Sequence, residues 1–127
     1  MLKKYTITTT DTIFEALKRI DANKEGFLIV VDDDSNVVQG VITDGDIRRH
    51  IINCGSVDSS TVAEAYTHPC IVVGVSEGIE TVIELFKDEQ IKFLPITDEA
   101  GKLINIITKS RLHAVLLLFL IRQINMM

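Results

Sequence analysis

An internal duplication limits the possible folds of this chain more than any other feature. Residues 26–32, GFLIVVD, align with residues 92–98, KFLPITD, and each segment is an apolar run that closes on an aspartate before a polar turn. Residues 41–43, VIT, align with residues 106–108, IIT, once a difference of one residue is allowed in the preceding turn. Turns tolerate such differences because they run over the surface. The sequence therefore predicts two copies of one supersecondary unit.

Two amphipathic stripes precede the aligned strands at matching positions. Apolar residues recur with the spacing i, i+3, i+4, i+7 in both copies: Ile13, Ala16, Leu17 and Ile20 in the first, and Ile79, Val82, Ile83 and Phe86 in the second. This spacing places each set on one face of a helix. The duplication therefore includes a helix as well as the strands.

The two copies predict an α+β (α/β) fold of two tandem βαββα repeats. Short leading strands are expected at 5–8 and 71–75. A unit of about 60 residues buries too little apolar surface to fold alone, so the repeats should pack sheet against sheet with pseudo-twofold symmetry. The expected boundaries are as follows: repeat 1 at 1–58, repeat 2 at 61–120, a linker rich in Ser, Gly and Asp at about 53–61, and a C-terminal tail at 121–127.

Composition excludes several classes of function. The chain of 127 residues is 46% apolar, which is enough for one core, and its net charge of -5 argues against a nucleic-acid or anionic membrane partner. The longest strongly apolar run, 114–121, is shorter than the roughly 20 residues that span a bilayer, and no export signal precedes it. Cys54 and Cys70 match no zinc signature. We expect a cytoplasmic protein without a metal or a cofactor.

The segment at 41–49, VITDGDIRR, carries the groups that a nucleotide requires. A branched apolar strand runs into a polar turn and then into a helix. Thr43 offers a hydroxyl, Asp46 can accept hydrogen bonds from both hydroxyls of a ribose, and Arg48 and Arg49 can bind phosphate. The alternative is that Thr43 only caps the helix while the arginines cover its solvent face. The local sequence leaves both interpretations open.

The duplication and its motifs resemble the cystathionine-β-synthase-type domain, or CBS domain, in its usual tandem pair, also called a Bateman module. Residues 40–46, GVITDGD, are similar to the family signature of glycine, two apolar residues, Ser or Thr, two residues and Asp, and residues 93–98, FLPITD, are the second similar segment. The resemblance implies a regulatory module that binds adenosine nucleotides between its repeats and catalyses no reaction. Residues 43–49 look particularly like pairs fused to sugar-phosphate nucleotidyltransferases or sugar-phosphate isomerases.

The resemblance also implies the composition of the site. The family cleft combines the signature of one repeat with the leading segment and central strand of the other. By position, the nucleotide-binding residues would be Val41, Thr43, Asp46, Tyr66, Ile71 and Ile91, and the phosphate-binding residues would be Arg48, Arg49 and Lys92. The apolar members suit a flat base and the cations suit phosphate. The alternative is ordinary packing for the apolar residues and a solvated surface for the cations.

The second repeat departs from the signature. Asn105 stands where Gly40 does, and Arg111 stands where Asp46 does. A guanidinium only donates hydrogen bonds, so it cannot accept one from a ribose hydroxyl. We therefore expect one competent nucleotide site and a possible degenerate second site, which would hold a phosphate-bearing ligand with Tyr5, Thr108, Lys109 and Arg111. The alternative for the degenerate site is a solvated helix start.

The C-terminal helix, expected at 111–123, is apolar on almost every face. Leu112, Val115, Leu116 and Phe119 are expected to face the core, and further apolar residues surround them: Leu117, Leu118, Leu120 and Ile121. Because large apolar patches are rarely left bare, the surplus predicts a homodimer or a following domain. The alternative is a helix buried between the repeats.

Three functional hypotheses follow from the sequence. The first is an adenosine-nucleotide sensor that controls an attached or associated sugar-phosphate nucleotidyltransferase. The second is a feedback sensor of sugar nucleotides, and the third is a dimerisation module without a ligand. The sequence has no Walker-type loop and no nucleophile elbow, so we expect any catalysis to reside in a domain that this chain lacks.

Overall fold

A computed structural model describes residues 2–125, with Phe119 described in its backbone only, and it contains two consecutive α+β units. The first unit comprises a 3-10 helix (Leu2–Tyr5), β1 (Thr6–Ile7), α1 (Ile13–Asn23), β2 (Phe27–Val31), β3 (Val38–Thr43) and α2 (Asp44–Cys54). The second comprises a 3-10 helix (Val62–Glu64), β4 (Val73–Gly74), α3 (Ile79–Phe86), β5 (Phe93–Thr97), β6 (Leu103–Thr108) and α4 (Lys109–Asn125). This element order confirms the predicted fold class.

The two sheets have the same topology and the same register. Their strand orders are β1-β2-β3 and β4-β5-β6, with the first pair parallel and the second antiparallel in each. Phe27 pairs with Thr43, and Phe93 pairs with Thr108. Each antiparallel ladder also contains one register shift: between Val30 and Val31, and between Ile96 and Thr97. The duplication therefore extends to individual strand pairs and to one shared irregularity.

The leading strands are shorter than the sequence predicts. Tyr5 ends the 3-10 helix, so β1 contains only two residues. Thr8 leaves the strand because its N–H donates to Asp11 Oδ2 at 3.1 Å, which begins a turn. β4 is equally short.

Apolar packing between the sheets joins the repeats. The rings of Phe27 and Phe93 stack with centroids 3.7 Å apart and planes 3° from parallel. The duplication aligns these two residues, so the contact joins equivalent positions of the two repeats. Ile29, Val31 and Leu103 are buried in the same cluster. Because buried aromatic and aliphatic surface dominates such contacts, this cluster holds the predicted sheet-on-sheet packing together.

Main-chain hydrogen bonds add a second connection between the repeats. The Val38 N–H donates to the carbonyl of Gly101 at 3.0 Å, and the Leu103 N–H donates to the carbonyl of Asn36 at 3.1 Å. The Asn36 side-chain amide donates in turn to the carbonyl of Leu103 at 3.1 Å. The turn of the first repeat is therefore docked on the turn of the second.

The connection between the repeats belongs to the packing of the first one. The Ile13 N–H donates to the carbonyl of Ser60 at 3.0 Å, and Val62 is fully buried in the first core. As a result Ile13 is 0% exposed, whereas its counterpart Ile79 is 50% exposed. The segment predicted as a linker covers one repeat and leaves the equivalent face of the other open.

Helix α4 extends beyond its own repeat. It runs from Lys109 to Asn125 and so enters the segment predicted as a tail. Leu112 is buried as predicted, but the prediction that Val115 and Leu116 face the core is wrong, since both are exposed. The helix packs on its repeat only through its first turns. The predicted core position of Phe119 lies outside the described side chains. No helix in residues 2–125 is both long enough and apolar enough to cross a membrane.

Candidate functional site

The junction of β3 and α2 fixes a hydroxyl and a carboxylate at the end of a strand. Thr43 Oγ1 accepts a hydrogen bond from the Asp46 N–H at 3.2 Å, and Asp46 Oδ2 accepts one from the Thr43 N–H at 3.0 Å. This reciprocal capping box satisfies two main-chain donors at the helix start. The helix-cap interpretation therefore describes the local structure, and the cap fixes both side chains at the end of β3.

The second oxygen of Asp46 is also in use. Oδ1 accepts from Arg49 Nη2 at 2.9 Å and from Thr67 Oγ1 at 3.3 Å. The Asp46 side chain is 11% exposed, whereas that of Arg49 is 64% exposed. Because the guanidinium lies mostly in solvent, the ion pair contributes at most about 1 kcal/mol. Asp46 is therefore a shielded carboxylate with one loosely held cationic partner.

The glycine of the signature lets a second segment pass close to β3. The Val41 N–H donates to the Thr67 carbonyl at 3.0 Å, and the Thr67 N–H returns a bond to the Val41 carbonyl at 2.8 Å. A Cβ on Gly40 would overlap the Thr67 carbonyl oxygen and lie 2.8 Å from Tyr66 Cδ2. The structure thereby places Val41 and Tyr66 beside the Thr43 and Asp46 junction.

Other predicted members of the site lie on the second repeat. Ile71 is exposed ahead of β4, and Ile91 is partly buried against the second core. Lys92 has an exposed side chain, and its carbonyl accepts from the Lys109 N–H at 2.8 Å. These residues have no described hydrogen bond or ion pair to Asp46.

The stacked rings of Phe27 and Phe93 connect the start of β5 in the second repeat with the junction of β3 and α2 in the first. Phe27 pairs with Thr43 at the end of β3, and Phe93 directly follows Lys92 at the start of β5. Since the two rings are in contact, the end of β3 and the start of β5 lie on either side of one aromatic pair. A ligand that bridges this pair would touch both repeats.

A small polar cavity borders Asp46 on the other side. It has a volume of about 250 Å³ and lies between α2 and the second 3-10 helix, with Arg49, His50, Cys54 and Glu64 among its lining residues. Nε2 of His50 is buried and has no hydrogen-bond partner within residues 2–125. Pockets for drug-sized ligands are typically roughly 300–1,000 Å³, so this cavity is too small for a whole nucleotide.

Arg48 and the cysteines stand apart from this arrangement. Arg48 is exposed on α2 and takes part in none of the described ion pairs. Cys54 and Cys70 are free, and burial raises the pKa of the Cys70 thiol. Within the described part of the chain, no three His, Cys, Asp or Glu side chains are grouped to hold a metal ion.

The junction of β6 and α4 is the equivalent position in the second repeat. It has the threonine cap, but it has no carboxylate where Asp46 lies in the first repeat. Thr108 Oγ1 accepts from the Arg111 N–H at 3.2 Å, while the Arg111 side chain is exposed. Lys109 Nζ donates to the Asp88 carbonyl at 3.0 Å. The Tyr5 ring stacks on Phe27 with centroids 6.2 Å apart. The residues of the degenerate site therefore have local partners, and no carboxylate occupies the position of Asp46.

Sequence reasoning missed two residues of the first junction. The Thr67 hydroxyl binds Asp46, and its main chain binds Val41. His50 faces the adjoining cavity. The spacing of α2 places His50 one turn after Asp46, which is the only signal in the sequence for it. No periodicity marks Thr67.

Comparisons with known proteins give the family. A model of the CBS domain matches residues 1–53 and 62–117. Arabinose 5-phosphate isomerase GutQ of Salmonella typhi is 37% identical over 76 residues, which are 60% of this chain and 23% of GutQ. Protein MJ1225 of Methanocaldococcus jannaschii has a TM-score of 0.79 at 28% identity, over 88% of this chain and 45% of MJ1225.

A further solved structure supports the fold alone. CBSX2 of Arabidopsis thaliana in complex with AMP has a TM-score of 0.77 at 24% identity, over 90% of this chain and 87% of CBSX2. The chain spans about a quarter of the length of GutQ and less than half of MJ1225. Because the family model matches both repeats, the chain belongs to the CBS domain family, and its repeats form a CBS pair, a regulatory module.

Proposed function

We propose that this CBS pair senses an adenosine nucleotide, AMP, ADP or ATP, and regulates an attached or associated sugar-phosphate enzyme. The observation that carries the proposal is the Thr43 and Asp46 junction, where a hydroxyl and a shielded carboxylate are fixed at the end of β3. A carboxylate can accept hydrogen bonds from both hydroxyls of a ribose. The match to the CBS family model, together with the resemblance of residues 40–46 to the signature of pairs that bind adenosine nucleotides, supports the ligand class.

The proposed nucleotide extends from Asp46 toward the start of β5. The cavity beside Asp46 is too small for the whole ligand, so the base needs surface elsewhere. Val41, Ile71 and Ile91 offer apolar surface for a flat base, with Tyr66 adjacent. Lys92, together with Arg48 and Arg49, offers positive charge for phosphate. These assignments combine the family pattern with the positions described above.

Contact with both repeats supplies a mechanism for regulation. A ligand shifts a conformational equilibrium only by its differential affinity for the two arrangements. A nucleotide that touches the end of β3 and the start of β5 would bind best when those elements are close, so it would favour one packing of the repeats. The difference in binding free energy between the two packings is the coupling free energy through which the nucleotide would act on an attached enzyme.

The sugar-phosphate partner is supported by one relative. GutQ is an arabinose 5-phosphate isomerase, and residues 43–49 resemble pairs fused to sugar-phosphate nucleotidyltransferases or sugar-phosphate isomerases. A second candidate ligand is a sugar nucleotide bound for feedback control, since a sugar nucleotide is the product that a nucleotidyltransferase partner would make. Asp46 would accept hydrogen bonds from the ribose of either ligand. Competition between AMP and a cytidine or guanosine sugar nucleotide distinguishes the two, because the tighter ligand displaces the other.

Calorimetric titration with AMP, ADP and ATP, together with thermal unfolding in their presence, tests the proposed function. A ligand at 100 times its Kd stabilises the folded chain by about 2.7 kcal/mol, which raises the unfolding temperature. Asp46→Asn should abolish the nucleotide-dependent rise. Asp11→Asn is the matched control, because Asp11 also accepts a main-chain N–H, that of Thr8, at 3.1 Å. Absence of both heat and thermal shift with all three nucleotides would contradict the proposal.

We also propose that the chain forms a homodimer through α4, whose apolar residues are largely exposed. The repeat boundaries at 1–58 and 61–120 remain predictions, as does a cytoplasmic location.

A further inference from the structure

We propose that Arg49 changes its partner when the nucleotide binds. The guanidinium leaves Asp46 and binds the phosphate of the ligand, while the ribose hydroxyls bind Asp46. The exchange would make the site prefer a phosphorylated nucleoside over the nucleoside itself. This inference rests on the proposed function, since it assigns a specificity-determining role at the same site.

The hydrogen-bonding capacity of Asp46 makes an exchange necessary. A carboxylate offers about four lone-pair positions. Three of the positions on Asp46 are already taken, by the Thr43 N–H, Arg49 Nη2 and Thr67 Oγ1. Two ribose hydroxyls need two positions and only one is open. At least one present donor therefore has to leave before the ribose can bind through both hydroxyls.

Arg49 is the donor with the most room to leave Asp46. The Thr43 N–H belongs to the capping box, so losing it would break the start of α2. Thr67 is held close by its two main-chain bonds to Val41. Arg49 is 64% exposed, and ion pairs this exposed change an equilibrium by about fivefold or less. The guanidinium is therefore the donor that can move into solvent and make room beside Asp46.

The space around Arg49 permits the movement. A Cβ on Gly45 would lie 3.2 Å from Arg49 Nη1 and 3.3 Å from Nη2, which is a tight contact. Glycine at this position leaves the guanidinium free to lie across the helix start and to move off it. A side chain there would have to be pushed aside.

The ligand determines whether the displaced cation finds a new partner. A nucleoside monophosphate brings an anion that a guanidinium binds with two parallel hydrogen bonds. A nucleoside brings none, so its ribose would break the ion pair without compensation. Both ligands therefore bear the cost of breaking the ion pair, and only AMP offsets that cost through its phosphate.

Titration of AMP and adenosine into three proteins tests the exchange: the wild type, Arg49→Gln and the control Lys87→Gln. Lys87 Nζ and Glu84 Oε2 form an ion pair of the same i,i+3 type and the same 2.9 Å length at the C-terminal end of α3. Arg49→Gln should bind adenosine about threefold more tightly, because Asp46 is released. It should bind AMP about tenfold more weakly, because a charged hydrogen bond is lost. Lys87→Gln should change neither affinity by more than about twofold.

The other outcomes separate this inference from the proposed function. Equal weakening of both ligands in Arg49→Gln, or weaker AMP binding with unchanged adenosine binding, would overturn the exchange while leaving a nucleotide site. Wild-type protein that binds adenosine and AMP no better than background would overturn the exchange, and the proposed function would be overturned with it if ADP and ATP also failed to bind. Far-UV circular dichroism of Arg49→Gln checks that the exposed substitution leaves the fold intact.

Discussion

Gly40 and Asn105 show how a single residue makes the two repeats unequal. They occupy equivalent positions, opposite Val30 and Ile96 in their ladders. At Gly40 the missing side chain admits the Thr67 main chain, which also brings the Thr67 hydroxyl to Asp46. Asn105 is exposed, and its Oδ1 accepts from the neighbouring Ile106 N–H. The glycine therefore determines which of the two strand–helix junctions the Thr67 segment packs against.

Gly40→Ala should destabilise the protein by about 2 kcal/mol, because an added methyl group in a closely packed contact forces the backbone to shift. The new Cβ would overlap the Thr67 carbonyl oxygen and press on the Tyr66 ring. Urea unfolding measures the change. Asn105→Ala, at the equivalent exposed position, should stay within about 0.5 kcal/mol of the wild type. Equal effects of the two substitutions would show that the Thr67 segment does not pack as described.

The residues of the first junction differ in how far the sequence could reveal them. Thr43 stands in a motif that repeats at Thr108, so the duplication points to it, whereas Asp46, whose counterpart is Arg111, was predicted from the resemblance of residues 40–46 to the family signature. Thr67 contacts Val41 through main-chain atoms, which every residue type except proline supplies equally. His50 is buried beside a cavity that Glu64 and Ala65, from a separate part of the chain, also line. Local motifs were therefore predictable, whereas contacts made by the backbone or by a distant segment were not.

At the scale of elements, the turn after β2 links a titrating carboxylate to the contact between repeats. Asp32 Oδ2 accepts from the Ser35 N–H at 2.9 Å and from the Ser35 hydroxyl at 2.9 Å. The bond from the Ser35 N–H has the larger effect and the bond from the Ser35 hydroxyl the smaller, and both lower the pKa of Asp32 below its ordinary value. The same turn presents Asn36 to Leu103 of the second repeat. Ionised Asp32 therefore supports the docking of the two turns.

Acidification should weaken this docking, and Asp32→Asn should remove that pH dependence. A carboxyl with a lowered folded pKa stabilises the fold above its unfolded pKa, and this stabilisation is lost as the pH falls through the folded value. Amide exchange of Leu103, measured below about pH 4, should accelerate in the wild type relative to Asp32→Asn. Asp33→Asn, an exposed neighbour in the same turn, should behave like the wild type. An unchanged pH dependence in Asp32→Asn would contradict the role of the turn.

The helices show which element properties the sequence could determine. The stripe of Ile13 and the stripe of Ile79 have the same period, and both segments are helical. Periodicity identifies the face that is able to be buried, but it does not identify what covers that face. The segment that contains Val62 packs on Ile13, which is therefore buried. Within residues 2–125 no segment covers Ile79 of α3 or Val115 of α4 in the same way, so both are exposed. Helix type was therefore predictable, and helix burial was not.

At the scale of the whole molecule, the uncovered apolar surface is concentrated on the second repeat. Leu117, Leu118 and Leu120 on α4 are all more than half exposed, and Ile79 on α3 is half exposed. Contiguous apolar surface of this kind rarely faces water in a stable protein. The stacked Phe27 and Phe93 already join the repeats, so α4 is not required for that contact. We propose a second copy of the chain as the partner that covers this surface.

Leu118→Glu should convert the proposed dimer into a monomer. Leu118 is 67% exposed, so the substitution costs the folded monomer little, whereas it would place a charge in the interface. Sedimentation should give twice the chain mass of 14.2 kDa for the wild type and the single mass for the variant. Phe14→Glu, which changes a half-exposed residue of α1 in the other repeat, should remain dimeric.

Because nucleotide binding is proposed within one chain, Leu118→Glu should also keep its affinity for AMP. A monomeric variant that binds AMP would show that nucleotide binding does not require the dimer. A wild type that sediments as a monomer, or a Leu118→Glu variant that stays dimeric, would exclude α4 as the dimer interface.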